Sequence, residues 1–158
     1  MPQPHNSDPA DLDPPGPVPG EAAIRGIVDA QMQAIRDKDA DALMAHCAEE
    51  ILSFDVVPPL RIRGSDAVRA RLTAWFSAYD GPIGAETREL AVAAAGDVGF
   101  CHGLQHFTGT MTGGTEVDMW VRVTMGLRRI GDRWLIVHEH MSDPFDPDSG
   151  QALTGLEP

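Results

Sequence analysis

The chain alternates between two kinds of hydrophobic spacing, and the change of period falls near its middle. Over residues 21–37, Ile24, Ile27, Val28, Gln31 and Ile35 recur at helical spacing, while Asp29, Arg36 and Asp37 fall on the opposite side. That pattern predicts an amphipathic helix. A second, shorter helix is predicted over 39–48, with Asp39 as its N-cap and Leu43, Met44 and Cys47 as its apolar stripe. Ile51 to Asp55 reads as a short strand, which Val56-Val57-Pro58-Pro59-Leu60 must leave because tandem prolines lack ladder donors. Ser65 is expected to cap a third helix, running through Leu72, Trp75 and Phe76 to about Tyr79 and ended by Asp80-Gly81-Pro82.

Beyond that point the period becomes two. Strands are predicted near 86–95, 98–109, 116–129 and 133–142, with Gly96-Asp97, Gly113-Gly114 and Gly131-Asp132 as the turns. Helices first and a run of antiparallel strands afterwards make an α+β domain. In 117–127 one face is continuously apolar (Val117, Met119, Val121, Val123, Met125, Leu127) and is expected to point at the helices. The other face carries Asp118, Trp120, Arg122 and Thr124. The last strand is ambiguous. Trp134, Ile136, His138 and His140 share one face, and Leu135, Val137, Glu139 and Met141 the other, and hydrophobicity does not choose between them.

Composition trims the ends. Seven prolines fall among the first twenty residues, with almost no apolar side chains, so residues 1–20 are expected to be a disordered tail. Residues 144–158 return to Pro, Gly and polar types; 21–148 is taken as the domain and 149–158 as a C-terminal arm. The formal charge of −12 argues against nucleic acid, whose phosphates need clustered Lys and Arg. No apolar run is long enough for a bilayer and the N-terminus lacks signal-peptide character, so no membrane is expected and the location is expected to be cytoplasmic. Cys47 and Cys101 read as reduced thiols, and no glycine-rich nucleotide motif appears, so no cofactor is expected.

Four stretches carry a resemblance. Phe54-Asp55-Val56-Val57-Pro58-Pro59-Leu60, Cys101-His102-Gly103-Leu104, Asp118 to Thr124, and Trp134 to Pro144 occur in order with the expected elements between them. Together they resemble the SnoaL-like proteins known as ketosteroid-isomerase homologues, in the nuclear transport factor 2-like superfamily. The last stretch also resembles the association domain of calcium/calmodulin-dependent kinases. The resemblance implies a cone-shaped fold, with three N-terminal helices packed on a curved, mainly antiparallel sheet, and commonly a dimer. It implies no particular reaction.

Position by position, the resemblance puts Asp55 where a steroid isomerase keeps its carboxylate base. Its two strong donors are not kept: Gln31 stands near the tyrosine position and Val123, read without gaps, at the acid position. The resemblance also turns Glu139 and Met141 inward on the last strand, and Phe100, His102, Leu104 and His106 inward on an earlier one. Asp55, His102 and Glu139 are then candidate catalytic groups, able to transfer protons. Gln31, Trp75, Phe100, His106, Met119, Val121, Val123 and Met141 are candidate ligand contacts. The expected function is a small-molecule pocket, possessed of isomerase- or lyase-type proton-transfer chemistry on an apolar metabolite. The alternative is a non-catalytic ligand-binding or association domain. Trp120, Arg122, His138 and His140 are assigned to an outer sheet face that pairs two copies. His138 and His140 also have the spacing of a metal pair, but no third ligand is evident and no metal is expected.

Overall fold

The computed structural model describes residues 19–158. The expectation of a disordered tail therefore lies outside the described residues, apart from Pro19 and Gly20, which open the first helix. The elements are α1 (Pro19–Arg36), α2 (Ala40–Met44), β1 (Cys47–Phe54), β2 (Ile62–Arg63), α3 (Ser65–Ser77), β3 (Tyr79–Ala95), β4 (Val98–Met111), β5 (Glu116–Ile130) and β6 (Arg133–Ser142). Six strands form one open, curved sheet in the order β2-β1-β6-β5-β4-β3. Only β1 and β6 run parallel; the other neighbours are antiparallel.

Local chemistry accounts for the joints. α1 stops where Lys38 adopts a positive φ of 54°. Asp39 then caps α2, its Oδ1 accepting from Ala42 N at 2.9 Å. The chain enters β1 at Cys47, earlier than the predicted Ile51, which shortens α2 to one turn and a half. Ser65 is not the cap of α3: Gly64 takes that place at φ 88°, and no side chain caps the helix. Asp80-Gly81-Pro82 is not the helix stop either, since α3 ends at Ser77 and these residues already belong to β3.

The apolar face of α1 (Ile24, Val28, Ile35) packs on the inner face of the sheet, where Val121, Val123, Met125 and Leu127 of β5 are each at most 3% exposed. Residues 144–158, read as an arm, fold back on themselves: Leu153 N–H donates to Pro144 O, and Trp120 N–H donates to Thr154 O at 3.3 Å, beyond the end of β6.

Two departures from simple alternation decide what faces inward. In β6, Ile136 pairs with Leu127 and His138 with Gly126, so Val137 is an extra residue with no partner on β5. A bulge of this kind switches the face of everything after it. Ile136 is fully buried before the bulge, while Glu139 and Met141 are turned inward after it. Each of the two predicted faces of this strand is thus right for half its length.

In β4 the inward positions are Cys101, Gly103, Gln105 and Phe107, so the predicted facing is reversed. Phe100, His102, Leu104 and His106 point outward. The facing taken from the resemblance is off by one residue, and the strand's own pattern does not correct it because glycine holds two inward positions. A Cβ on Gly99 would lie 2.3 Å from Ile24 Cδ1, and one on Gly103 would lie 3.0 Å from Arg88 O. Close packing of α1 and β3 leaves little room for a side chain at either position, so half of the inner face carries no hydrophobic signal.

Candidate functional site

Between the helices and the inner sheet face lies a cavity of about 400 Å³, at the small end of the range typical of small-molecule sites. Its walls are mostly apolar: Met32 and Ile35 from α1, Leu72 and Trp75 from α3, Phe107 from β4, Met119 and Val121 from β5, and Met141 from β6. Val56 and Val57, just past β1, close one side. Trp75 is fixed by edge contacts to Tyr79 and Phe107, with centroids 5.8 and 5.4 Å away.

Few polar groups enter this space. Asp55 follows the last residue of β1, and its Oδ2 accepts from Arg71 Nε of α3 at 2.9 Å. Glu139 comes from β6. Ser53 pairs with Glu139 in the parallel ladder, which places Asp55 two residues further along the same face. Burial pushes the Glu139 carboxyl up from its ordinary 4.5 to about 7, and the negative charge of Asp55 adds to the rise. Gln31 and Gln105 complete the set, at 2% and 3% exposure. Cys47 also lines the cavity, its thiol pushed up to about 12 by burial and then by Glu139.

The structure thus brings Asp55 and Glu139 together with Gln31, Trp75, Met119, Val121 and Met141 around one cavity. His102 does not join them: it is exposed on the outer face, its ring 5.7 Å from that of Phe100. Phe100 is 47% exposed beside it. His106 is outward too, stacked on Trp120 with ring centroids 4.3 Å apart, its Nε2 lying 2.6 Å from Asp118 Oδ1. Val123 is buried in the core and does not line the cavity.

On the outer face, Trp120 also carries the Arg88 guanidinium at 4.9 Å. His138 Nδ1–H donates to Leu52 O at 2.8 Å, and Phe54 meets the rings of both His138 and His140 edge-on. Among the described residues, no group of three or more His, Cys, Asp or Glu side chains is arranged to hold a metal ion. No helix among them is long and apolar enough to cross a membrane.

A family model described as the SnoaL-like domain matches residues 24–146. The chain belongs to the SnoaL-like domain family. Among solved structures, an NTF2-like protein of unknown function from Pseudomonas putida KT2440 is 34% identical, with a TM-score of 0.81 over 88% of this chain and 96% of that one. A ketosteroid isomerase-like protein from Erwinia carotovora atroseptica has 17% identity and a TM-score of 0.68, covering 78% of this chain and 95% of its own. A protein with a cystatin-like fold from Caulobacter vibrioides has 16% identity and a TM-score of 0.69, covering 82% and 92%. These last two share the fold. No curated protein matches the chain.

Arg71 and Gln105, two polar residues of this SnoaL-like pocket, were not among the residues expected from the sequence. Arg71 lies three residues after Val68 and four before Trp75, and that stripe signals an inward side chain. Gln105 sits directly opposite Val121 in the β4–β5 ladder. Opposed residues share a face, so the inward setting of Val121 carries Gln105 with it.

Proposed function

We propose that the cavity is the active site of a cofactor-independent enzyme that moves a proton on a small, largely apolar metabolite, as an isomerase or lyase does. One observation carries this reading: Glu139 stands in an apolar cavity, held near pH 7 by burial and by Asp55. A carboxyl group poised near the working pH can both take and return a proton. Among the described residues, no ion pair engages Glu139, whereas Asp55 is already bound to Arg71. The geometry therefore favours Glu139 as the proton carrier, in place of the base role the sequence suggested for Asp55. Asp55 and Arg71 then set the field in which Glu139 titrates. With Gln31 near the tyrosine position and Val123 outside the cavity, the two donor positions of steroid isomerisation are not kept, which argues against a steroid substrate handled by that route.

The test is exchange of α-protons of small ketones such as 2-tetralone in D₂O, followed by proton NMR. The protein should accelerate exchange, with a rate that rises through an apparent pKa near 7. Glu139→Gln should lower it by about 100-fold or more. A variant that keeps the rate, or a protein that accelerates no member of such a panel, would remove the proton-transfer reading.

A second reading, an association domain, draws support from the outer face. Phe100 is 47% exposed there, and the Arg88–Trp120–His106 stack lies on the same side of the sheet. We propose that this face, with Arg122 and His140, pairs two copies of the chain. Pairing there leaves the cavity on the opposite side free, so the two readings are compatible.

A further inference from the structure

Two glutamines are buried in the cavity wall, and each has an amide atom without a hydrogen-bond partner among the described residues. Gln31 lies on the apolar face of α1 and Gln105 on the inner face of β4, at 2% and 3% exposure. Among the described residues, Gln31 Oε1 and Gln105 Nε2 have no hydrogen-bond partner. Leaving such groups unpaired in an apolar interior is costly, and leucine would fill either position without that cost. Both residues line the same cavity, whose other polar groups are Asp55, Arg71 and Glu139.

Resting on the reading of this cavity as a ligand site, we propose that Gln31 and Gln105 are its specificity-determining pair and that they select an uncharged hydroxyl group on an otherwise apolar molecule. A hydroxyl can both donate, as an amide oxygen requires, and accept, as an amide NH2 requires, so it is the one small uncharged group that suits either glutamine. Because a glutamine amide can turn over, the pair suits a group that both donates and accepts, whichever way each amide points. Anionic head groups are disfavoured. An anion meets Asp55 and Glu139, and the one cationic side chain among the described lining residues, Arg71, is already held by Asp55.

The test uses three probes of one shape: 4-tert-butylcyclohexanol, tert-butylcyclohexane and 4-tert-butylcyclohexanecarboxylate. Their binding at pH 8 is measured by ligand-detected NMR on the wild-type chain and on Gln31→Leu and Gln105→Leu. The alcohol should bind at least 10-fold more tightly than the hydrocarbon or the carboxylate. Each leucine variant should lose that preference, keep its affinity for the hydrocarbon, and melt at a higher temperature than wild type. Equal binding of alcohol and hydrocarbon by the wild type, or a preference kept by both variants, overturns the assignment of the amides and leaves the ligand site standing. Variants that melt lower show the amides to be structural and overturn it too. Failure of all three probes to bind removes the ligand-site reading itself, and this inference with it.

Discussion

Replacing Glu139 by glutamine should make the protein more stable above neutral pH, and the size of the gain follows from its surroundings. The folded protein holds this carboxyl near 7, against an ordinary value of 4.5, because ionisation in the cavity wall forfeits hydration and faces Asp55. Each tenfold in proton affinity is worth about 1.4 kcal/mol, so the difference amounts to roughly 3 kcal/mol. As pH rises from 4.5 to 7 the unfolded chain gives up a proton that the folded chain keeps. Stability conferred by the neutral carboxyl is therefore complete below the lower value, declines through the window, and is gone above the upper one. Glu139→Gln carries no charge at any pH. It should match wild type near pH 4 and exceed it by roughly 3 kcal/mol at pH 8, a rise in melting temperature of about 6–12 °C. Calorimetric melts of both proteins across pH 4–8 measure the difference directly. Parallel curves, with no divergence between pH 5 and 7, would show that Glu139 ionises as an ordinary surface acid, and the proposed chemistry would lose its proton carrier.

Other consequences can be checked with the same proteins. Asp55→Asn removes the charge that opposes ionisation of Glu139, so the pH–rate profile should move to lower pH while the maximal rate stays within about 10-fold; loss of all turnover would return the base role to Asp55. Arg71→Met leaves Asp55 without its partner, and the melt at pH 7 should fall by about 1–2 kcal/mol. Cys47, with its thiol pushed up to about 12 from 9.0, should react with iodoacetamide at pH 8 some ~1,000-fold more slowly than an exposed thiol, and faster in Glu139→Gln than in wild type. Light scattering at micromolar concentration should give the mass of two chains, and Phe100→Lys should give one; a wild-type monomer would end the proposal for the outer face.

Much of this fold is written in the spacing of apolar residues. The run Ile24, Ile27, Val28, Ile35 made α1 a helix with one buried face, and the alternation from Val117 to Leu127 made β5 a strand with its inner side declared. Such signals are local: they depend only on the period of the backbone and on which side chains avoid water. The turn residues Gly96, Gly113, Gly114 and Gly131 take positive φ where the strands reverse, and so the hairpins too were legible. Asp55 was legible through the family resemblance, which puts a carboxylate where the first strand ends, just before the prolines.

The cavity's polar set was decided elsewhere. Glu139 faces inward only because Val137 is an extra residue against β5, a two-against-one pairing that no local pattern announces. His102 and His106 face outward, opposite an inner side of β4 on which Gly99 and Gly103 let α1 and β3 approach closely. Arg71 meets Asp55 only once α3 crosses the end of β1. In each case the deciding quantity is a contact between elements distant in sequence. Periodicity sets which residues share a face; register and close approach set which face meets the cavity.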